Sequence, residues 1–220
     1  MAADALAGLA ATLGGGLTGA ALLALAGASA VFAAAPGPGI AAIVSQAVTR
    51  GRGPAVLWAM GTTLGDMVYL LFAAYGLGWV AGTAGPAFAA LRWAGAGYLV
   101  WLGVRSLRAA PPREPLAAPG AACGRKRFLL GGMCVSLGNP KVIAFYCGFL
   151  PAFVDLEHLT HAGVAAVALV VGATVLCVAT AFAVLAARGG ALLRRPRPWK
   201  IMNRTAGTVM IGAGVAVAAQ

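Results

Sequence analysis

Residues 31–45 read VFAAAPGPGIAAIVS and residues 133–147 read MCVSLGNPKVIAFYC, so a proline motif interrupts each of two apolar stretches. Proline lacks a backbone N–H and clashes with the preceding helical turn, and each break therefore frees carbonyls and amides. At membrane depth such groups are tolerated only where protein or a water-filled cavity surrounds them. Broken segments at matching places in two halves of a chain indicate the binding site of a secondary transporter.

The composition is that of a membrane protein. Of the 220 residues, 61% are hydrophobic and only 10% are charged, whereas soluble domains carry about 25% charged residues. A membrane-spanning helix needs about 20 apolar residues, so six spans with short connections fill the chain and leave no room for a soluble domain. The net charge of +11 does not indicate a nucleic-acid partner, because the basic residues flank apolar spans and no nucleic-acid-binding motif accompanies them.

The predicted fold class is an all-α membrane protein with six transmembrane helices in a single transporter domain over residues 1–220. The helices cover about 17–49, 54–82, 86–109, 128–154, 162–187 and 201–219, with the first broken at 36–39 and the fourth at 139–140. The first repeat spans about 17–109, a linker follows at about 110–127, and the second repeat spans about 128–219. Because each repeat has three spans, the two repeats enter the bilayer from opposite sides and form an inverted pair.

The basic residues predict the orientation. Of the 16 basic residues, 14 lie at three alternate connections: between the first and second spans, the third and fourth, and the fifth and sixth. Asp155 and Glu157 lie on the opposite side. Because cytoplasmic loops are enriched in Lys and Arg, we expect a multi-pass protein of the bacterial cytoplasmic (inner) membrane with both termini outside.

Asp66 and Lys141 are charged residues that this topology does not explain. Asp66 lies 14 residues after Arg52, and Lys141 lies 14 residues after Arg127. At 1.5 Å per residue both are about 21 Å from the cytoplasmic surface, near the middle of the bilayer. Ionisable residues at this depth are costly and indicate a functional site. The alternative is an Asp66–Lys141 ion pair that only fixes packing.

The neighbouring residues favour a lined cavity. Thr62 lies one turn before Asp66 on the same helix face, and Gly61 and Gly65 form a G-x-x-x-G pair that permits close helix packing. The half-helices that begin after Pro38 and Pro140 direct N-terminal amides toward the midplane, where they favour a carboxylate.

In this order, the motifs PGP, G-x-x-x-G-D, G-x-x-YL-x-x-LG, NPK and FLP resemble the lysine exporter (LysE/RhtB) family of bacterial amino-acid exporters. The resemblance covers most of residues 30–215. It implies a proton-driven exporter of amino acids or close derivatives, often a homodimer. Gly39 departs from the family pattern, in which many members have a polar residue, often Asn, after the PGP. The predicted substrate-binding residues are Pro36, Gly37, Pro38, Gly39, Thr62, Asp66, Asn139, Pro140 and Lys141.

The predicted function is amino-acid export by proton antiport, with Asp66 as the proton-coupling residue and with neither a cofactor nor enzymatic activity. One alternative is export of another small solute or a metal ion, although a metal site needs several carboxylate, His or thiolate ligands. A second alternative is a membrane thiol-disulfide relay, which needs a cysteine on each broken helix, and the first span has none. Cys134, Cys147 and Cys177 fall inside apolar spans, where buried cysteine behaves as a small hydrophobic residue.

Overall fold

The structure is a computed structural model that describes residues 14, 17–77, 85–108, 124–155, 158–193 and 196–218. Within these ranges the chain is helical, apart from connecting turns and one isolated bridge between Gly14 and Leu159. Most of residues 1–16 and most of the predicted linker at about 110–127 lie outside the described residues.

Eight α-helices make up the described part of the chain. They are α1 (Gly19–Ala34), α2 (Pro38–Arg50), α3 (Arg52–Phe72), α4 (Gly85–Leu107), α5 (Arg125–Leu137), α6 (Pro140–Ala144), α7 (His161–Leu193) and α8 (Pro196–Ala218). A π-helical turn at Ala73–Leu77 continues α3, and a second π-helical turn at Phe145–Phe149 continues α6.

The first predicted break lies between α1 and α2. The helix ends at Ala34 because Pro36 cannot donate a backbone hydrogen bond and disfavours a helical conformation at the residue before it. Ala35 is accordingly extended (φ −62°, ψ 126°). Pro38 begins α2 at a position where a missing N–H costs nothing, and the two helices are bent by 61°. The break predicted at 36–39 is confirmed.

The second predicted break lies between α5 and α6. The chain leaves α5 after Leu137, and the Asn139 side chain accepts a hydrogen bond of 3.1 Å from the Lys141 amide. Asn139 is thereby the N-cap of α6, and Pro140 occupies the first helical position. The bend here is 58°, and the break predicted at 139–140 is confirmed.

The number of membrane spans is confirmed only in part. Two described segments, Arg52–Gly76 and His161–Arg188, are long and apolar enough to cross a membrane, and the two bent pairs raise the number to four if each counts as one span. Helices α4 and α8, where the third and sixth spans were predicted, have 23 residues each but are not among these candidates. The six-span layout therefore stays a prediction.

The helices pack around a polar layer. Helix α3 lies between α5 and α7, α7 also covers α1 and α2, and α4 pairs with α8. Buried apolar residues form two clusters, which we name the Phe32 cluster (with Leu70, Phe145, Tyr146, Val167 and Val171) and the Trp58 cluster (with Ile43, Ala59, Phe128 and Ala183). Along α3, the residues between Ala59 of the Trp58 cluster and Leu70 of the Phe32 cluster include the buried Thr62 and Asp66. The polar layer therefore separates two apolar regions.

Candidate functional site

A cavity of about 50 Å³ lies where the two breaks face α3 and α7. Its lining residues include six of the nine predicted substrate-binding residues: Gly37, Gly39, Thr62, Asp66, Asn139 and Lys141. The remaining three, Pro36, Pro38 and Pro140, line a second cavity of about 180 Å³ on the other side of the breaks, together with Gly37, Asn139 and Lys141. The structure thus brings residues from both breaks together around shared cavities.

Asp66 is buried against α5. Its side chain is only 5% exposed, and its Oδ1 atom accepts a hydrogen bond from the Ser136 hydroxyl. A carboxylate at this burial needs a donor, because an isolated charge in an apolar surrounding is strongly unfavourable. Ser136 is not among the predicted site residues, because its position three residues before Asn139 does not reveal a contact with Asp66.

Glycines permit this contact between α3 and α5. A Cβ atom at Gly65 would lie 2.7 Å from the Ser136 Cβ and 2.9 Å from the Met133 carbonyl oxygen, and a Cβ at Gly61 would collide with the Leu129 carbonyl. Both distances at Gly65 are shorter than van der Waals contact. The G-x-x-x-G pair predicted from the sequence therefore packs against α5 and sets the distance between Asp66 and Ser136.

Lys141 connects the second break to the first. Its ammonium donates hydrogen bonds to the Phe32 carbonyl (2.8 Å) and the Ala35 carbonyl (2.7 Å), both at the C-terminus of α1. The Phe32 carbonyl also accepts a backbone hydrogen bond of 3.2 Å from the Ala35 amide, whereas the Ala35 carbonyl lies beyond the last turn of α1. The helix dipole further favours a cation at this C-terminus. The Nζ atom lies 4.6 Å from the centroid of the Phe32 ring, which adds a cation–π contact.

The two buried charges do not form a direct ion pair. Lys141 satisfies its donors on backbone carbonyls, and Asp66 accepts from Ser136. Both nevertheless line the same small cavity. The structure therefore does not contain the alternative arrangement, an Asp66–Lys141 ion pair that only fixes packing. Both side chains instead border a space that water or a ligand can enter.

Thr62 and the first turn of α2 both border the cavity at Asp66. Thr62 donates its hydroxyl to the Ala59 carbonyl at 2.8 Å, so its oxygen faces the cavity only as an acceptor. Gly37, the N-cap of α2, provides no side-chain cap. A Cβ at Gly39 would meet no atom within 4 Å. The first turn of α2 therefore has open space beside it at the cavity.

Three described cysteines lie in the helical segments where spans were predicted, on faces that differ in exposure. Cys134 and Cys177 are exposed and Cys147 is partly buried, all as free thiols. Cys134 and Cys177 lie on helix faces directed away from the packed interior, which sequence composition alone does not distinguish from the buried faces. Among the described residues there is also no group of three or more His, Cys, Asp or Glu residues that could hold a metal ion.

Comparisons with known proteins agree on one family. The sequence profile of the LysE type translocators matches residues 30–220. An uncharacterized membrane protein of Synechocystis is 34% identical over 194 residues, covering 88% of this chain and 93% of the relative. A homoserine/homoserine lactone efflux protein of Salmonella typhimurium is 29% identical, covering 86% of this chain and 92% of the relative. A leucine efflux protein of Enterobacter is 32% identical over 56% of this chain and 58% of the relative. No solved structure matches the chain significantly.

Proposed function

Because this chain belongs to the LysE-type translocator family, and is thus a transporter rather than an enzyme, we propose that it exports an amino acid or close derivative in exchange for protons. The observation that carries this proposal is a cavity between two broken helices that is lined by one buried acid and one buried base. Relatives named as efflux proteins for homoserine, homoserine lactone and leucine support an amino-acid substrate.

The polar groups of the cavity complement a zwitterion. The substrate ammonium approaches Asp66, where it replaces the hydrogen bond from Ser136. The substrate carboxylate lies toward Lys141 and the first turn of α2, whose N-cap provides no competing side chain. An N-terminal helical turn favours negative charge. Lys141 is then a counter-charge that can exchange its bonds with the Phe32 and Ala35 carbonyls for bonds to the carboxylate.

Proton coupling follows from a single buried carboxylate that two cations compete for. Asp66 binds either a proton or the substrate ammonium. With both bound, the ammonium has no counter-charge, and with neither bound, the carboxylate has no cation beside it; each case leaves an uncompensated charge in the apolar interior. Substrate leaving the site on the outer side is replaced by a proton, and the proton leaves on the cytoplasmic side when the next substrate arrives. Exchange of one for the other is antiport.

The proposed architecture has six spans in two inverted repeats, with both termini outside the cytoplasmic membrane. The contacts support this arrangement, because α3 of the first repeat packs on α7 of the second and α4 packs on α8. Gly103 and Gly207 meet reciprocally, each with the other's carbonyl oxygen 2.7 Å from its added Cβ position. The nearly equal bends of 61° and 58° lie at corresponding places. The homodimer stays a prediction.

An efflux screen tests the proposal. Cells that overproduce the chain are loaded with each of the common amino acids and with homoserine, and export is followed over time. A matched strain producing Asp66→Asn, at equal membrane abundance, is the control. We expect faster export of at least one amino acid in the wild-type strain alone. Equal export of every compound by the two strains contradicts the proposal.

A further inference from the structure

The second cavity is larger than the cavity at Asp66, which has to widen during transport before it holds a whole amino acid. A water molecule needs about 10–15 Å³ of such space, so the 50 Å³ cavity at Asp66 holds only about four waters. The 180 Å³ cavity is more than three times as large and has room for a small amino acid. A substrate therefore fits the second cavity in the conformation seen here.

The lining of the second cavity is cationic. Arg105 from α4 and Lys141 from the second break contribute positive charge, and the polar groups around them come from Tyr98, Ser106 and Asn203. None of the described residues that line this cavity is acidic. The chemistry of the lining is that of a site for an anion, in contrast to the acid-containing cavity at Asp66.

Arg105 is held in a defined place. Its guanidinium carbon lies 5.4 Å from the centroid of the Trp101 ring, within the range of a cation–π contact, which uses the positive charge and needs no N–H···O hydrogen bond. The donors remain suited to a carboxylate, which matches the planar guanidinium in a bidentate pair.

The wall that carries Arg105 is closely packed. Gly103 and Gly207 let the backbones of α4 and α8 touch. The Ser106 hydroxyl lies 3.1 Å from the Asn203 carbonyl oxygen and 3.2 Å from its Oδ1 atom. Arg105 is between these two contacts along α4, so its position relative to the breaks is fixed by packing on both sides.

Lys141 stands between the two cavities, because it lines both. From these observations we propose that the second cavity is a loading site for substrates with a free carboxylate, and that Arg105 binds this carboxylate before it passes to Lys141. The inference rests on the proposed export function and adds a second subsite to it. In the proposed topology Arg105 lies at the cytoplasmic end of α4, the side from which an exported substrate arrives.

A purely topological role is the competing explanation for Arg105, since basic residues accumulate at cytoplasmic helix ends. Arg108 provides a matched control, because it lies one turn further along the same chain segment, is also exposed, and does not line the cavity. A topological role predicts equal effects of Arg105→Gln and Arg108→Gln. A loading site predicts that only Arg105→Gln affects the substrate.

The experiment uses purified full-length protein in proteoliposomes, with the amino acid that is exported best in the screen above and with its carboxamide (leucine and leucinamide, for example). For Arg105→Gln we expect the apparent KM for the amino acid to rise about tenfold or more, as expected for loss of a charge-assisted pair. The maximal rate should stay within about twofold of wild type. Arg108→Gln should keep the wild-type KM, and Arg105→Lys should recover part of the loss.

The carboxamide separates charge recognition from a general defect. Wild-type transport of the amino acid should be inhibited weakly by the carboxamide, and Arg105→Gln should lose the discrimination between the two compounds. Equal KM values for Arg105→Gln and Arg108→Gln would overturn the loading site while leaving the export function intact. Absence of export of every amino acid by the wild-type protein would contradict the export function itself, and the loading site with it.

Discussion

Replacement of Gly65 by Ala tests whether close packing of α3 on α5 sets the geometry at Asp66. The new Cβ would lie 2.7 Å from the Ser136 Cβ and 2.9 Å from the Met133 carbonyl oxygen, whereas carbon atoms in contact are about 3.5–4.0 Å apart. The helices must therefore separate by about 1 Å. This displacement carries Ser136 away from the Asp66 carboxylate.

Two magnitudes follow for Gly65→Ala. Overpacking costs about 1–3 kcal/mol, and the better helix propensity of Ala returns up to about 1 kcal/mol, so the free energy of unfolding should fall by about 1 kcal/mol. Misplacement of a functional group by about 1 Å can reduce rates by about 100-fold, and the transport rate should fall by about tenfold or more. Transport therefore suffers far more than stability.

The assay combines substrate efflux from proteoliposomes with denaturant unfolding of the purified protein in detergent. Gly27→Ala is the matched control, because Gly27 lies inside α1 and a Cβ there meets no atom within 4 Å. We expect the control to keep wild-type transport and to gain up to about 1 kcal/mol in the free energy of unfolding, because only the helix propensity of Ala acts there. If Gly65→Ala behaves like the control in both assays, the helices are not held as closely as the structure indicates, and the reasoning is refuted.

Two further predictions concern the breaks and the topology. Lys141→Ala and Gly37→Leu should each weaken substrate binding, and their effects should be non-additive by about 0.5–3 kcal/mol because both residues border one ligand. A Gly37 Cβ would lie 3.5 Å from the Lys141 Cδ, so a double-mutant cycle measured on unfolding serves as the control. Additive losses in substrate binding would mean two separate sites. A Cys introduced at Asp155 should react with an impermeant reagent from outside the cell, whereas Cys123 should react only after the membrane is opened. Labelling of Cys123 from outside would reverse the proposed orientation.

The backbone of the candidate site could be predicted from the sequence because its determinants are local. Pro36 and Pro140 lie in the interior of apolar stretches, where proline interrupts a helix, so both breaks were located to within a residue or two. The predicted depth of Asp66 rests on counting along one helix, and α3 does run without interruption from Arg52 through Asp66. Local rules therefore suffice for the elements and for the residues that border the cavities.

The partners of the buried charges could not be predicted, because they depend on how distant segments are packed. Lys141 contacts carbonyls more than 100 residues away in the chain, at Phe32 and Ala35, and backbone carbonyls leave no mark in the sequence. The contact of Ser136 with Asp66 depends on the glycine-mediated crossing of α3 and α5. Arg105 was assigned to the topological signal, because a basic residue at a helix end has the same sequence context whether or not it borders a cavity.

The central claim is that Asp66 couples amino-acid export to protons. Proteoliposomes containing the wild-type protein, acid inside and alkaline outside, should accumulate the exported amino acid above its external concentration while protons leave. Asp66→Asn keeps the shape of the side chain but cannot exchange a proton, and should be inserted and folded without accumulating substrate. If Asp66→Asn still concentrates the amino acid in response to the pH gradient, Asp66 is not the coupling residue and the account is contradicted.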